Sequence, residues 1–126
     1  MIKGFHHTGV KVSDMERSIA FYEKTFQLEV TRRTHISEDT ELCFLSFPDS
    51  PGVSVELICE KQQAEPLGEG QVHHLAFRVS NIEEEMSRLK SSGLSFSTEA
   101  PIEVLGGLKV AFTTGPDDEI LELVEE

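Results

Sequence analysis

Basic residues are few. Only 11 Lys and Arg stand against 23 Asp and Glu in 126 residues, a formal net charge of −12. A chain this anionic repels phosphate backbones and anionic lipid surfaces, which argues against nucleic acid and membrane as partners. Long apolar runs are missing as well, and none approaches the ~18 residues that a membrane span needs. The opening MIKGFHH has no basic stretch leading into an apolar one, so no secretion signal is expected. Cysteine is limited to Cys43 and Cys59, too few for a secreted disulfide framework, and a reduced, cytoplasmic chain is the expectation. What is present is ordinary for a globular protein: 38% hydrophobic and 27% charged residues. A chain of this length buries about two-thirds of its unfolded surface, so folding requires neither disulfide nor structural metal. One domain over residues 1–126 is expected.

That domain is internally duplicated. Residues 6–13 read HHTGVKVS and residues 73–80 read HHLAFRVS, 67 positions later, with four of eight residues identical. Val55-Glu56-Leu57-Ile58 is echoed by Leu121-Glu122-Leu123-Val124 at an offset of 66. The chain therefore divides into modules 1–65 and 66–126, each too short to be an independent domain. Each module opens with a strand, 5–12 and 72–79, rich in Val, Phe, Leu and Thr. Ser13 with Glu16 and Ser80 with Glu83 form capping boxes ahead of helices. Met15, Ile19, Tyr22 and Phe26 then recur at helical spacing, as do Ile82, Met86 and Leu89 before the stop at Gly93. Glu83-Glu84-Glu85 complements the dipole of the second helix. Strands are expected near 28–36, 41–47 and 53–60, and again near 94–99, 108–114 and 119–125. Turns are expected at Pro48-Asp49-Ser50-Pro51-Gly52, Gly106-Gly107 and Gly115-Pro116-Asp117-Asp118, and an inter-module linker over 61–71. The pattern predicts an α+β fold of paired βαβββ modules.

Strand alternation sorts the polar residues by face. His7, Gly9 and Lys11 share one side of the first strand; His74, Ala76 and Arg78 lie opposite the apolar row Leu75, Phe77 and Val79. Glu56 interrupts an apolar strand, and so does Glu122. A carboxylate in such a run needs a partner to offset its desolvation. One His–Glu pair says little, but His7 to Glu56 spans 49 residues and His74 to Glu122 spans 48. Two His and two Glu at matched spacing suit a divalent metal of borderline hardness. His6 and His73 are expected to turn to the opposite face and be structural, since neighbours in a strand cannot share a side. His35 is expected at an exposed strand end, and Cys43 and Cys59 as inert thiols in apolar strands. Lys11 and Arg78 read equally as solvated charges or as an anion clamp for a substrate carboxylate or phosphate.

The segments HHTGVKVSDMERSIAFYEKTF, VELI, VHHLAFRVSNIEEEMSRLKSSG and GPDDEILELVE resemble the vicinal oxygen chelate superfamily, also called the glyoxalase/bleomycin-resistance/dioxygenase superfamily, over essentially the whole chain. The resemblance implies paired βαβββ modules whose curved mixed sheet surrounds a metal site, the glyoxalase fold. It places His7, Glu56, His74 and Glu122 on the family's four ligand positions. The implied activity is that of a glyoxalase I-like metalloenzyme, a lyase or isomerase acting on a thiol adduct of a 2-oxoaldehyde through an enediolate. It implies Glu122 as catalytic base with Glu56 as its counterpart, and Lys11 and Arg78 at substrate. A divalent Ni, Co, Zn or Mn ion, a low-molecular-weight thiol co-substrate, a small-molecule detoxification substrate and a homodimer belong to the same expectation. Lys11 stands where glyoxalase I usually has Arg, losing the bidentate fork for a carboxylate, so a thiol other than glutathione is expected. Asp118 stands where a turn Gly is usual, a replacement that Asp tolerates. GEGQVHHLAFRVSNIEEEMSRLKSSG also resembles methylmalonyl-CoA epimerase. Thiol transfer to an epoxide antibiotic and non-enzymatic drug binding are further activities within the superfamily.

Overall fold

The computed structural model describes residues 5–62, 67, 70 and 72–126. Most of the linker expected over 61–71 lies outside the described residues. The chain separates into two compact units, Met1–Leu67 and Gly68–Glu126, close to the module boundary read from the repeat.

In the first unit β1 (His7–Val12) leads into α1 (Met15–Phe26), then β2 (Glu29–His35), β3 (Thr40–Phe47) and β4 (Ser50–Glu60). These strands form a mixed sheet in the order β1-β4-β3-β2. β1 runs parallel to β4, as it must when a helix and two strands intervene, and the other neighbours are antiparallel. The second unit repeats the plan with β5 (Leu75–Arg78), α2 (Ile82–Ser91), β6 (Ile102–Val104), β7 (Leu108–Thr114) and β8 (Ile120–Glu125), ordered β5-β8-β7-β6. The α+β class and the curved sheets are those expected, although each unit builds its own four-stranded sheet rather than sharing one.

Each helix buries the stripe its sequence announces. Met15, Ile19, Tyr22 and Phe26 of α1 pack with Val12, Leu28, Cys43, Leu45 and Leu57 in the first core. Ile82, Met86 and Leu89 of α2 are buried, as are Phe77, Val110, Ala111, Leu121 and Leu123 of the second sheet. The caps sit one residue beyond the expected serines. Asp14 accepts from the Arg17 N–H at 3.0 Å and Asn81 from the Glu84 N–H at 3.1 Å. These oxygens satisfy the orphan donors of the first turn, and Ser13 Oγ instead accepts from the Arg17 guanidinium.

Two strand expectations are corrected. Residues 94–99 form no strand, and β6 is Ile102–Val104. The segment is tied to β7 at single points, the Ser97 N–H to the Phe112 carbonyl and the Thr113 hydroxyl to the Ser95 carbonyl. Isolated bonds of this kind do not propagate a ladder. In the first unit, β4 already begins at Ser50, opposite Phe47, so Pro48-Asp49 is the whole turn. Pro51 is accommodated because β1 does not pair with β4 until Ser54. Asp118 adopts φ +64°, the left-handed turn geometry its position demands.

Candidate metal centre

The expected ligands come together as two His–Glu pairs, one in each unit. Gly9 lies in register with Glu56 across the parallel β1–β4 ladder, which places His7, two residues earlier, on the same face and diagonal to the carboxylate. His7 Nε2 stands 3.7 Å from Glu56 Oε1. In the second unit Ala76 lies in register with Glu122, and His74 Nε2 stands 3.8 Å from Glu122 Oε1. Both carboxylates are largely buried, 14% and 15% exposed, while the two rings are open to about a third, 39% and 36%. The separations are too long for hydrogen bonds. Each unit thus aims an imidazole nitrogen and a carboxylate oxygen at the same small volume without spending either lone pair on the other. Those are donors that borderline divalent cations accept, so the residues fit such an ion. Among the described residues no group of three or more His, Cys, Asp or Glu is arranged to hold a metal ion.

The neighbourhood of each pair is duplicated too. Phe44 of β3 lies opposite Glu56, and its ring meets His7 edge-on at 5.8 Å and 87°. Phe112 of β7 lies opposite Glu122 and meets His74 at 6.1 Å and 86°. Strand alternation alone does not single these phenylalanines out. Their spacing of 68 residues, close to the repeat offset, was the available signal. Phe112 also lines a cavity of about 520 Å³ with His73, Phe96 and Ile120, wholly within the second unit. On the first strand, a Cβ at Gly9 would lie in ordinary contact with Glu56 Oε1 at 3.5 Å and tightly against Ile58 Cδ1 at 3.2 Å.

His6 and His73 do not turn away. His6 Nδ1 lies 2.9 Å from His7 Nδ1, and His73 Nδ1 lies 2.9 Å from His74 Nδ1. Strand alternation does not govern them, because the ladders begin at His7 and, in the second unit, only at Leu75. Lys11 and Arg78 face the expected way but are committed to carboxylates. Lys11 Nζ is 3.5 Å from Glu60 Oε1, and Arg78 Nη2 is 2.9 Å from Glu126 Oε1. His35 is exposed at the end of β2. Cys43 is fully buried, and desolvation pushes its thiol up to about 11, away from nucleophilic use. Cys59 is half-buried and free of disulfide bonding.

Among the described residues no helix is long and apolar enough to cross a membrane. Residues 6–112 match the profile of the glyoxalase/bleomycin resistance protein/dioxygenase superfamily. The chain is 33% identical over 126 residues to the uncharacterized protein YwbC of Bacillus subtilis (strain 168), covering 99% of each chain. It is 30% identical over 122 residues to the lactoylglutathione lyase of Salmonella typhimurium, covering 94% of this chain and 90% of that enzyme. Among solved structures, the trypanothione-dependent glyoxalase I of Leishmania major superposes with a TM-score of 0.79 at 25% identity, covering 99% of this chain and 88% of that one. A profile match over most of the chain, together with whole-length relatives of this kind, makes the protein a member of the glyoxalase/bleomycin resistance protein/dioxygenase superfamily.

Proposed function

We propose that the protein is a metal-dependent, glyoxalase I-like lyase that isomerises the thiol adduct of a 2-oxoaldehyde. The observation that carries this reading is the duplicated pair, His7 with Glu56 and His74 with Glu122, built on equivalent strands at 3.7 and 3.8 Å. Its similarity to lactoylglutathione lyases supports the choice within the superfamily. Each pair offers a divalent cation one imidazole and one carboxylate donor, with Ni, Co, Zn and Mn all compatible with such donors. When bound, such an ion supplies Lewis-acid stabilisation to negative charge developing beside a carbonyl.

The chain's own residues move the proton. Glu122 takes it from the carbon that carries sulfur and returns it to the adjacent carbon. The product is a thioester of a 2-hydroxy acid and an isomer of the adduct, so no redox partner is needed. Burial of both carboxylates among apolar strand residues keeps bulk water from competing for the proton. Lys11 and Arg78 receive anionic groups of the substrate by exchanging their present partners Glu60 and Glu126. The enzyme works as a cytoplasmic homodimer in detoxification.

Steady-state turnover of methylglyoxal with glutathione, with other small thiols, and of methylmalonyl-CoA, each with added Ni²⁺ or Zn²⁺, tests the proposal. Turnover of a methylglyoxal–thiol adduct, with glutathione a poor partner because Lys11 lacks the bidentate fork, is expected. Turnover of methylmalonyl-CoA alone would assign the protein to the epimerases. Silence with every substrate while the ion binds would remove the lyase assignment.

A further inference from the structure

The two neighbouring histidines offer an inference that rests on the metal reading above and adds to it. We propose that His6 and His73 are positioning residues that set the tautomer of His7 and His74, so that each paired histidine presents a bare Nε2 toward its glutamate. The contact on both sides joins Nδ1 to Nδ1 at 2.9 Å. A hydrogen bond between two such nitrogens takes one proton, so one ring is the donor and the other the acceptor. If His7 holds the proton on Nδ1, its Nε2 carries a lone pair, and His6 must be the Nε2–H form that accepts at Nδ1. The reverse assignment would put a proton on His7 Nε2, the nitrogen that stands 3.7 Å from Glu56 Oε1, and would block it as a ligand. Both arrangements make the same shared bond, and only the first leaves a lone pair on the nitrogen that the metal reading requires as a ligand.

Duplication argues against coincidence. Both dyads have ring centroids 5.1 Å apart and rings near perpendicular, 81° and 90°. The residues that follow differ, Thr8-Gly9-Val10 against Leu75-Ala76-Phe77. A ligand histidine ordinarily gives its second N–H to a carboxylate or a backbone carbonyl. Here the preceding residue takes that role, and Phe44 or Phe112 meets the ring edge-on. His6 and His73 act through their neighbours and touch no substrate in this scheme.

The test uses the full chain labelled with ¹⁵N-histidine, stripped of metal and then titrated with Co²⁺ alone. At about pH 8.5, where an imidazole is neutral, two-bond ¹H–¹⁵N spectra report each tautomer. His7 and His74 are expected as Nδ1–H forms, and His6 and His73 as Nε2–H forms. H6F should shift His7 toward the Nε2–H form, and H73F should do the same for His74. Each should weaken Co²⁺ binding about tenfold, the low end for losing an outer partner of a ligand histidine. H6N and H73N should restore most of both signals, because the Asn carbonyl oxygen reaches about where His Nδ1 stands. A merely structural histidine would not be rescued in the tautomer readout. Nε2–H forms of His7 and His74 in the wild type would overturn the proposal, as would Phe variants that bind Co²⁺ as tightly as wild type. The expected tautomers in a wild type that binds no Co²⁺ would uphold the positioning role and remove the metal reading instead.

Discussion

Phe44 stands directly opposite Glu56 in the β3–β4 ladder and turns its edge to the ring of His7 at 5.8 Å. One antiparallel register therefore determines two neighbours of the candidate ligand pair. Phe112 does the same for Glu122 and His74. An edge-on aromatic contact contributes about 1 kcal/mol beyond area burial. Each therefore restrains an imidazole that is still about a third exposed, and the neighbouring histidine restrains it as well.

Replacing Glu122 with Gln keeps an oxygen donor and removes the base. The proposed isomerisation should fall about 100- to 10,000-fold, while Co²⁺ affinity and the unfolding midpoint change much less. Turnover, calorimetry and denaturant unfolding on one preparation would show the separation. An equal fall in binding and rate would place Glu122 in ion binding only.

Leu57 and Leu123 each follow a candidate ligand glutamate and point to the opposite face, where they are 0% and 2% exposed. Leu57→Ala and Leu123→Ala should each cost about 2–5 kcal/mol in urea unfolding, because a cavity is left behind. Loss of this anchor should also let the adjoining carboxylate wander, so the variants should bind Co²⁺ less tightly even when folded.

The cap positions separate two readings of the same short motif. Asp14→Ala and Asn81→Ala should each cost about 1 kcal/mol. Ser13→Ala, which removes the hydroxyl that accepts from the Arg17 guanidinium and leaves the Asp14 cap in place, should cost less than Asp14→Ala. Thermal unfolding of the three variants would rank them, and a larger loss for Ser13→Ala would return the cap to the serine.

Arg33 ties β2 to Glu41 of β3 and to Glu16 of α1. Its hydrogen bond, ahead of the opposing effect of burial, holds the Glu41 carboxyl below its ordinary value of 4.5. A depressed carboxylate stabilises the fold above that ordinary value, and the contribution is lost as pH falls through the folded value. Arg33→Gln should therefore lower the urea midpoint at pH 7, and the gap to wild type should narrow toward pH 3. The Arg33 side chain is 37% exposed, so the gap should be small and should shrink further in salt. A gap that widens on acidification would contradict this origin.

Much was legible along the chain itself. The repeat of HHTGVKVS as HHLAFRVS, the two helix stripes and the strand-embedded Glu56 and Glu122 are local patterns, and period-2 and period-3.6 spacing reveals buried faces without knowledge of what covers them. Even the pairing of His with Glu could be inferred, because it occurs twice at nearly one spacing. The caps, β6 and the histidine dyads were not legible, for a common reason. Ser13 and Asp14 are both competent caps, and only the backbone path chose the aspartate. Residues 94–99 have the composition of a strand, and only the bonds available along β7 decided that they would be held at isolated points. His6 and His73 were assigned by an alternation that applies inside a ladder, and where a ladder begins depends on its partner strand. Residue chemistry and periodicity are properties of a segment. Register, strand limits and side-chain partners depend on two segments at once, so they were decided when the strands met.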